Sequence, residues 1–233
     1  MSAPHRLVVF DLDGTLVDSQ ANIARAVVDS AQLLGLDAPP AAEVSRVIGL
    51  SLGEALARLF PHIDAETHRR LDHEYRECFV RYRTMPDYKE PLFDGTHEIL
   101  EALDKAGYLL GIATGKAMRG VNYLLSTQGW HGRFVTIQTP DIAPGKPHPG
   151  MVLQAMAETG VEPQNTVMIG DTSFDIEMAR AAGVGAVGVS WGNHSVSELR
   201  AAGAHRVIDR LSDLLHAVDA LTVPIPVAME KQP

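Results

Sequence analysis

The sequence predicts an α/β protein, a Rossmann-like doubly wound parallel sheet carrying an inserted α-helical cap domain. Short apolar runs that do not alternate recur along the chain, as strands buried on both faces require. Helical stretches that stop at glycine separate them. One long segment near the start breaks this alternation with helical patterns alone.

The predicted strands are Leu7–Phe10, Leu109–Ala113, Phe134–Ile137, Thr166–Ile169 and Ala186–Val189. Between them, helices are predicted over Thr96–Ala106, Gly150–Thr159 and Phe174–Ala182, ending at Gly107, Gly160 and Gly183. In the exceptional segment, Ile23, Val27 and Leu34 mark one helix closed by Gly35. Pro39-Pro40 opens a second that reaches Ile48 before Gly49. Ser51-Leu52-Gly53-Glu54 has the form of a capping box and starts a third, stopped at Pro61. Asp64 caps a fourth, whose apolar face runs through Leu71, Tyr75, Cys78/Phe79 and Tyr82. The expected organisation is a core of residues 1–17 and 91–222, a four-helix cap of residues 18–90, and a loose C-terminal tail of residues 223–233. Thr84–Asp94, with two prolines and several charges, reads as the hinge back to the core.

Composition narrows the function. The 233 residues are 45% hydrophobic and 21% charged, an ordinary globular balance. A net charge of −9 leaves no electrostatic footprint for nucleic acid, and no basic cluster would hold an anionic membrane. The single cysteine, Cys78, excludes an internal disulfide framework and falls on an apolar helix face. The ten histidines form no zinc-binding pair. Only four apolar residues lie between Arg6 and Asp11, too short a run for a signal peptide, so a cytoplasmic protein is expected. A small-molecule substrate and a monomer or homodimer fit this profile.

Ligands of open parallel sheets bind beyond the carboxyl ends of the strands. There the sequence puts Asp11 and Asp13 after the first strand, Thr114-Gly115-Lys116 after the second, Gly145-Lys146-Pro147 after the third, and Gly170-Asp171 after the fourth. Phosphoryl transfer needs charge compensation and in-line positioning, and this set supplies both. Asp11 and Asp171, with waters and a backbone carbonyl, suit Mg²⁺. Asp11 can attack phosphorus to form an aspartyl-phosphate. Asp13 can protonate the leaving oxygen and later deprotonate the hydrolytic water. Thr114 and the N–H groups around Gly14 and Gly115 can hold phosphate oxygens, with Lys146 as a point charge.

Asp-Leu-Asp-Gly-Thr-Leu-Val-Asp-Ser at 11–19, Thr114, Gly-Lys-Pro-His-Pro around Lys146 and Gly-Asp-Thr-Ser-Phe-Asp at 170–175 resemble, in order, the four motifs of the haloacid dehalogenase superfamily. The insert resembles that family's small helical cap, in particular that of phosphoglycolate-phosphatase-type members. The resemblance implies a Mg²⁺-dependent phosphatase with Asp11 as nucleophile and metal ligand. It makes Asp13 the acid/base and the donor of a carbonyl to the metal, Thr114 and Lys146 phosphate ligands, Asp171 a metal ligand, and Asp175 a support behind these groups. In the family, the loop between the second and third cap helices covers the leaving group, which points to Arg46, Gly49, Leu50 and Ser51 for specificity. Arg46 either pairs with a substrate carboxylate or forms a helix-surface salt bridge.

Three other functions share the fold. Sugar phosphomutases carry a cap histidine and a lysine where this chain has Ile23 and Ile48. A metal-independent dehalogenase has no use for Asp13, and a non-catalytic binding protein would have lost one of Asp11, Asp13, Lys146 or Asp171. Gly183-x-Gly185-x-x-Gly188 leaves a helix and enters a strand, the reverse of a dinucleotide fingerprint. His148 and His194 read as hydrogen-bonded structural residues. Lys116 reads equally as a surface charge or a second phosphate contact. Trp191-Gly192-Asn193-His194 has no assigned role beyond a place on the rim.

Overall fold

In the computed structural model, which describes residues 5–222, six parallel strands form one sheet in the order β3-β2-β1-β4-β5-β6. They are β1 Arg6–Phe10, β2 Tyr108–Ala113, β3 Thr136–Gln138, β4 Thr166–Gly170, β5 Gly185–Val189 and β6 Arg206–Ile208. The chain builds outward from β1 to β2 and β3, then crosses back to β4, β5 and β6. The switch point of the sheet therefore lies at β1, between β2 and β4.

The pleat of β1 sorts its side chains between two apolar layers. Val8 and Phe10 pack with Leu100 and Leu103 of α5 (Thr96–Lys105), Val121 and Leu124 of α6 (Met118–Thr127), and Leu214 and Val218 of α10 (Leu214–Asp219). Leu7 and Val9 pack on the opposite face with Met151 and Val152 of α7 (Gly150–Thr159), Ile176 of α8 (Ser173–Ala181) and Leu199 of α9 (Val196–Ala201). Every residue of β1 and β4 is buried, which is why neither strand alternates in sequence.

Between β1 and α5 lie four helices: α1 Gln20–Leu33, α2 Ala41–Ser45, α3 Leu52–Leu59 and α4 Ala65–Tyr82. They carry apolar centres of their own, Val27, Ala31, Val44, Leu56, Phe60 and Leu71 in one, and Ala26, Cys78, Phe79 and Tyr82 in another. Asp64 caps α4, its side chain accepting from the Thr67 N–H at 2.7 Å.

Several local expectations shift. The second helix ends at Ser45 and not Ile48, and residues 46–49 form a turn. Ser51 stands at the N-cap of α3 without a side-chain capping bond, and Glu54, which would supply the other arm of the box, pairs with Arg58 at 2.9 Å. The third strand is Thr136–Gln138, displaced from Phe134–Ile137, since Phe134 belongs to the core beside Trp130. The edge strand β6 and helices α6, α9 and α10 were not among the expected elements, although Ser195 and Glu198 form a capping box at the start of α9; β6 has three residues and exposes Arg206. The expected tail at 223–233 lies outside the described residues. Among the described residues no helix is long and apolar enough to cross a membrane.

Candidate active site

Parallel register sets the height at which each strand releases its polar residues. Phe10 stands beside Ile112 of β2 and Ile169 of β4, so Asp11, Thr114 and Asp171 leave the sheet side by side. The Asp11 N–H donates to the Ile169 carbonyl at 2.9 Å, and the Thr114 N–H to that of Gln138 at 3.1 Å. All three side chains are buried.

Asp11, Asp171 and Asp175 present carboxylate oxygens within 4.8 Å of one another. Lys146, itself fully buried, lies 2.7 Å from Asp11 Oδ1 and 2.7 Å from Asp175 Oδ1. Burial, followed by the repulsion of Asp175 and Asp171 and only partly offset by Lys146, pushes Asp11 up to about 8. Asp171 rises to about 6 through burial and then Asp175, although hydrogen bonds from Asn193 oppose the shift. Burial favours neutral Lys146, but its two ion pairs outweigh that and hold its ammonium pKa above the ordinary value.

One ammonium faces three buried carboxylates, so the site carries two uncompensated negative charges when all three are ionised. Asp11 Oδ2 accepts no hydrogen bond among the described residues, and Asp11 Oδ1 and Asp175 Oδ1 share the single Lys146 ammonium. These oxygen-only, under-compensated groups fit a hard divalent cation. Asp175 stands closer to this cluster than a purely supporting role suggests. Its Oδ2 accepts from the Thr172 N–H at 3.0 Å and from Thr172 Oγ1 at 2.7 Å, while its Oδ1 faces Lys146.

The carboxylate of Asp13 points elsewhere. Ser19 Oγ donates to its Oδ1 at 2.6 Å, and Lys116 Nζ lies 3.0 Å from the same atom. Lys116 also reaches Glu90 at 3.4 Å, and its side chain is one-tenth exposed, so it is no surface charge. Asp13 and Glu90 together outweigh the burial that would lower its pKa, and hold it raised.

Residues without an assigned role complete the site. Thr15 Oγ1 donates to Asp171 Oδ1 at 3.0 Å, and the Asn193 N–H and Nδ2 both donate to Asp171 Oδ2 at 2.8 Å. Trp191 Nε1 donates to the Thr15 carbonyl at 3.2 Å. Gly192 packs so tightly against Asp171 that no side chain fits there. Thr15 was within reach of sequence reasoning, sitting in the Asp-x-Asp-Gly-Thr segment. Asn193 was not, because nothing in a sequence pairs it with a residue on another strand end.

A cavity of about 250 Å³ opens between Asp11, Asp13, Thr114, Gly115 and Lys116 on the sheet side and the helical insert. Gly49, Leu50 and Ser51 line it, as do Ile23 and Ile48. The insert rests directly on the core here. A methyl group at Gly115 would lie 2.7 Å from the Gly49 carbonyl oxygen and overlap that of Leu50. Arg46 does not join them. Its side chain is 75% exposed and pairs with Glu198 at 3.7 Å, so the surface salt bridge is its role in this fold. His194 is structural: its Nδ1 accepts from the Ser173 N–H at 3.0 Å, which leaves Nε2 to donate to the Arg46 carbonyl at 3.3 Å. His148 likewise accepts from the Gly150 N–H at 3.0 Å.

The chain is similar to known proteins in sequence and fold. Residues 8–189 match the family described as haloacid dehalogenase-like hydrolase. A probable phosphatase, IndB, of Dickeya dadantii is 34% identical over 92% of this chain and 94% of its own length. A phosphoglycolate phosphatase of Xanthomonas campestris pv. campestris is 35% identical over 80% of this chain and 84% of its own. The crystal structure of a hydrolase from Pseudomonas syringae superposes with a TM-score of 0.82 at 28% identity, covering 94% of this chain and all of that one. The match runs unbroken from Asp11 through Asp175, and the chain therefore belongs to the haloacid dehalogenase-like hydrolase family, among its phosphoric monoester hydrolases.

Proposed function

We propose that this enzyme is a Mg²⁺-dependent phosphatase of a small phosphorylated metabolite, a phosphoglycolate-like phosphomonoester, working through an aspartyl-phosphate on Asp11. The observation that carries this reading is the buried cluster of Asp11, Asp171 and Asp175 around a single ammonium, with Asp11 lining the cavity under the helical insert. Asp11 and Asp171, with the Asp13 carbonyl, would hold the cation, and Asp175 would steady Lys146 and Thr172 behind them. When bound, Mg²⁺ supplies the positive charge that lets a carboxylate approach an anionic phosphate.

The residues of the chain do the rest. Thr114 Oγ1, the Gly115 N–H and Lys146 bind the phosphoryl oxygens and align phosphorus with Asp11. An Asp11 oxygen bonds to phosphorus as the bond to the leaving oxygen breaks, and Asp13 gives that oxygen its proton. Water then attacks the same phosphorus and loses its proton to Asp13. The bond to Asp11 breaks, restoring its carboxylate and releasing inorganic phosphate. Residues 18–90 serve as a cap over a core of 1–17 and 91–222, shutting out bulk water so that these charges act at full strength. Gly49 and Ser51 bound the leaving-group side. Ile23 and Ile48, apolar on the cavity wall, offer a sugar hydroxyl no base, which disfavours a mutase.

Hydrolysis of a generic aryl phosphate tests the reading. Turnover should require Mg²⁺, stop with chelator and return on adding Mg²⁺. Asp11→Asn should lower kcat by at least about three orders of magnitude while phosphate still binds. Turnover without metal, or an active Asn variant, would overturn the mechanism.

A further inference from the structure

The Arg83 guanidinium has no carboxylate partner among the described residues, and its buried Nε has no hydrogen-bond partner. It is half-buried at the end of α4 and lines the same cavity as Asp11 and Thr114. Of the other two cavity-lining arginines, Arg76 is held by Asp72 at 2.6 Å, and the exposed Arg119 donates to the Arg76 carbonyl at 3.2 Å. Arg83 is held by aromatic packing instead, 4.1 Å over the Tyr123 ring and 6.0 Å over that of Phe79. Stacking of this kind fixes the plane of a guanidinium and leaves its outer N–H groups free. A methyl at Gly120 would sit 2.8 Å from Lys116 Cγ and 3.8 Å from Arg83 Nη2, so the Arg83 head lies near the alkyl stem of Lys116. Lys116 is tied to Asp13 and Glu90, and Glu90 does not reach Arg83.

A preoriented, uncompensated guanidinium facing a cavity is a receptor for an oxyanion. The phosphoryl group is provided for at the strand ends by Thr114, Gly115 and Lys146. The whole cavity, phosphoryl end included, is about 250 Å³, roughly eight waters at about 30 Å³ each, and away from the strand ends it is walled by Ile23, Val27, Val47 and Phe79. A two-carbon hydroxy acid fills only part of it. We propose that Arg83 is a specificity residue reading a second anionic group on the leaving group, so that the preferred substrate is a phosphomonoester with an apolar, ring-sized body and a distal carboxylate or phosphate. The assignment rests on the phosphatase reading, replaces its phosphoglycolate-like leaving group by a larger one that keeps the distal anion, and moves the anion-binding role from the exposed Arg46 to Arg83.

The test compares phenyl phosphate with meta- and para-carboxyphenyl phosphate, each with Mg²⁺, in the natural protein, Arg83→Met and Arg83→Lys. The natural protein should bind at least one carboxylated ester with a KM about tenfold below that of phenyl phosphate. Arg83→Met should raise that KM by about 10–100-fold with kcat little changed, the loss of a charged bidentate contact, and leave phenyl phosphate within about twofold. Arg83→Lys should retain part of the preference. Equal effects of Arg83→Met on all three esters, or no carboxylate preference in the natural protein, overturn the role of Arg83 while the phosphatase stands. Failure of the natural protein to hydrolyse any of the three overturns both.

Discussion

Replacing Lys116 by methionine keeps its length and removes one buried positive charge. Its Nζ lies 3.0 Å from Asp13 and 3.4 Å from Glu90, with the three side chains 10%, 11% and 2% exposed. At an effective dielectric near 20, each attraction is worth about 5 kcal/mol gross. Much of that offsets the desolvation of the ions, so breaking such a pair costs about 3–5 kcal/mol net. Lys116→Met should therefore lose about 3–5 kcal/mol in urea unfolding followed by circular dichroism, at an unchanged m-value. Glu90 is the more exposed to this loss, because its Oε2 already lacks a partner whereas Asp13 keeps Ser19. Lys116→Met combined with Glu90→Gln should then recover at least about 1 kcal/mol of the deficit. A single variant within about 1 kcal/mol of the natural protein, or a double variant no better than the single, would refute a buried Asp13–Lys116–Glu90 network.

Two further outcomes follow from the site. Gly115→Ala puts a methyl 2.7 Å from the Gly49 carbonyl oxygen, against a normal contact near 3.5 Å. The loop at 49–51 must retreat by roughly 1 Å, which should lower kcat/KM by about 100-fold in a folded protein; an unchanged kcat/KM would mean that this contact does not set the closed geometry. Metal removal should show a pH dependence of known sign. Asp11 at about 8 and Asp171 at about 6, both starting from 3.8, keep protons in the metal-free folded protein that the unfolded chain has already released. Metal-free stability should thus fall as pH rises from about 4 to about 8. Mg²⁺ replaces those protons, so its upward shift in Tm should be larger at pH 8 than at pH 5; a shift equal at both pH values would show that the cation does not meet these carboxylates.

The chain's own apolar runs specify five of the six strands and the residues at their ends, while the three-residue edge strand β6 leaves no such run. Strands buried on both faces must be continuous apolar runs, and a parallel sheet must release its next residues at one edge. Asp11, Thr114 and Asp171 were therefore legible from position alone, as was Asp64, whose capping bond spans three residues. Where a local pattern competed with a nearby partner it misled, as with Ser51-x-x-Glu54, whose Glu54 pairs with Arg58. Tertiary structure alone decided which polar side chains face the cavity. Lys116 turns inward because Asp13 and Glu90 converge on it from two other segments, and Asn193 matters because β5 delivers its loop to Asp171. Arg46 turns outward to Glu198, while Arg83 stays beside the cavity with Tyr123 beneath it. Such pairings join residues far apart in the chain, with no periodicity to announce them. They exist only once the helical insert has packed onto the core and fixed the direction in which each side chain leaves its backbone.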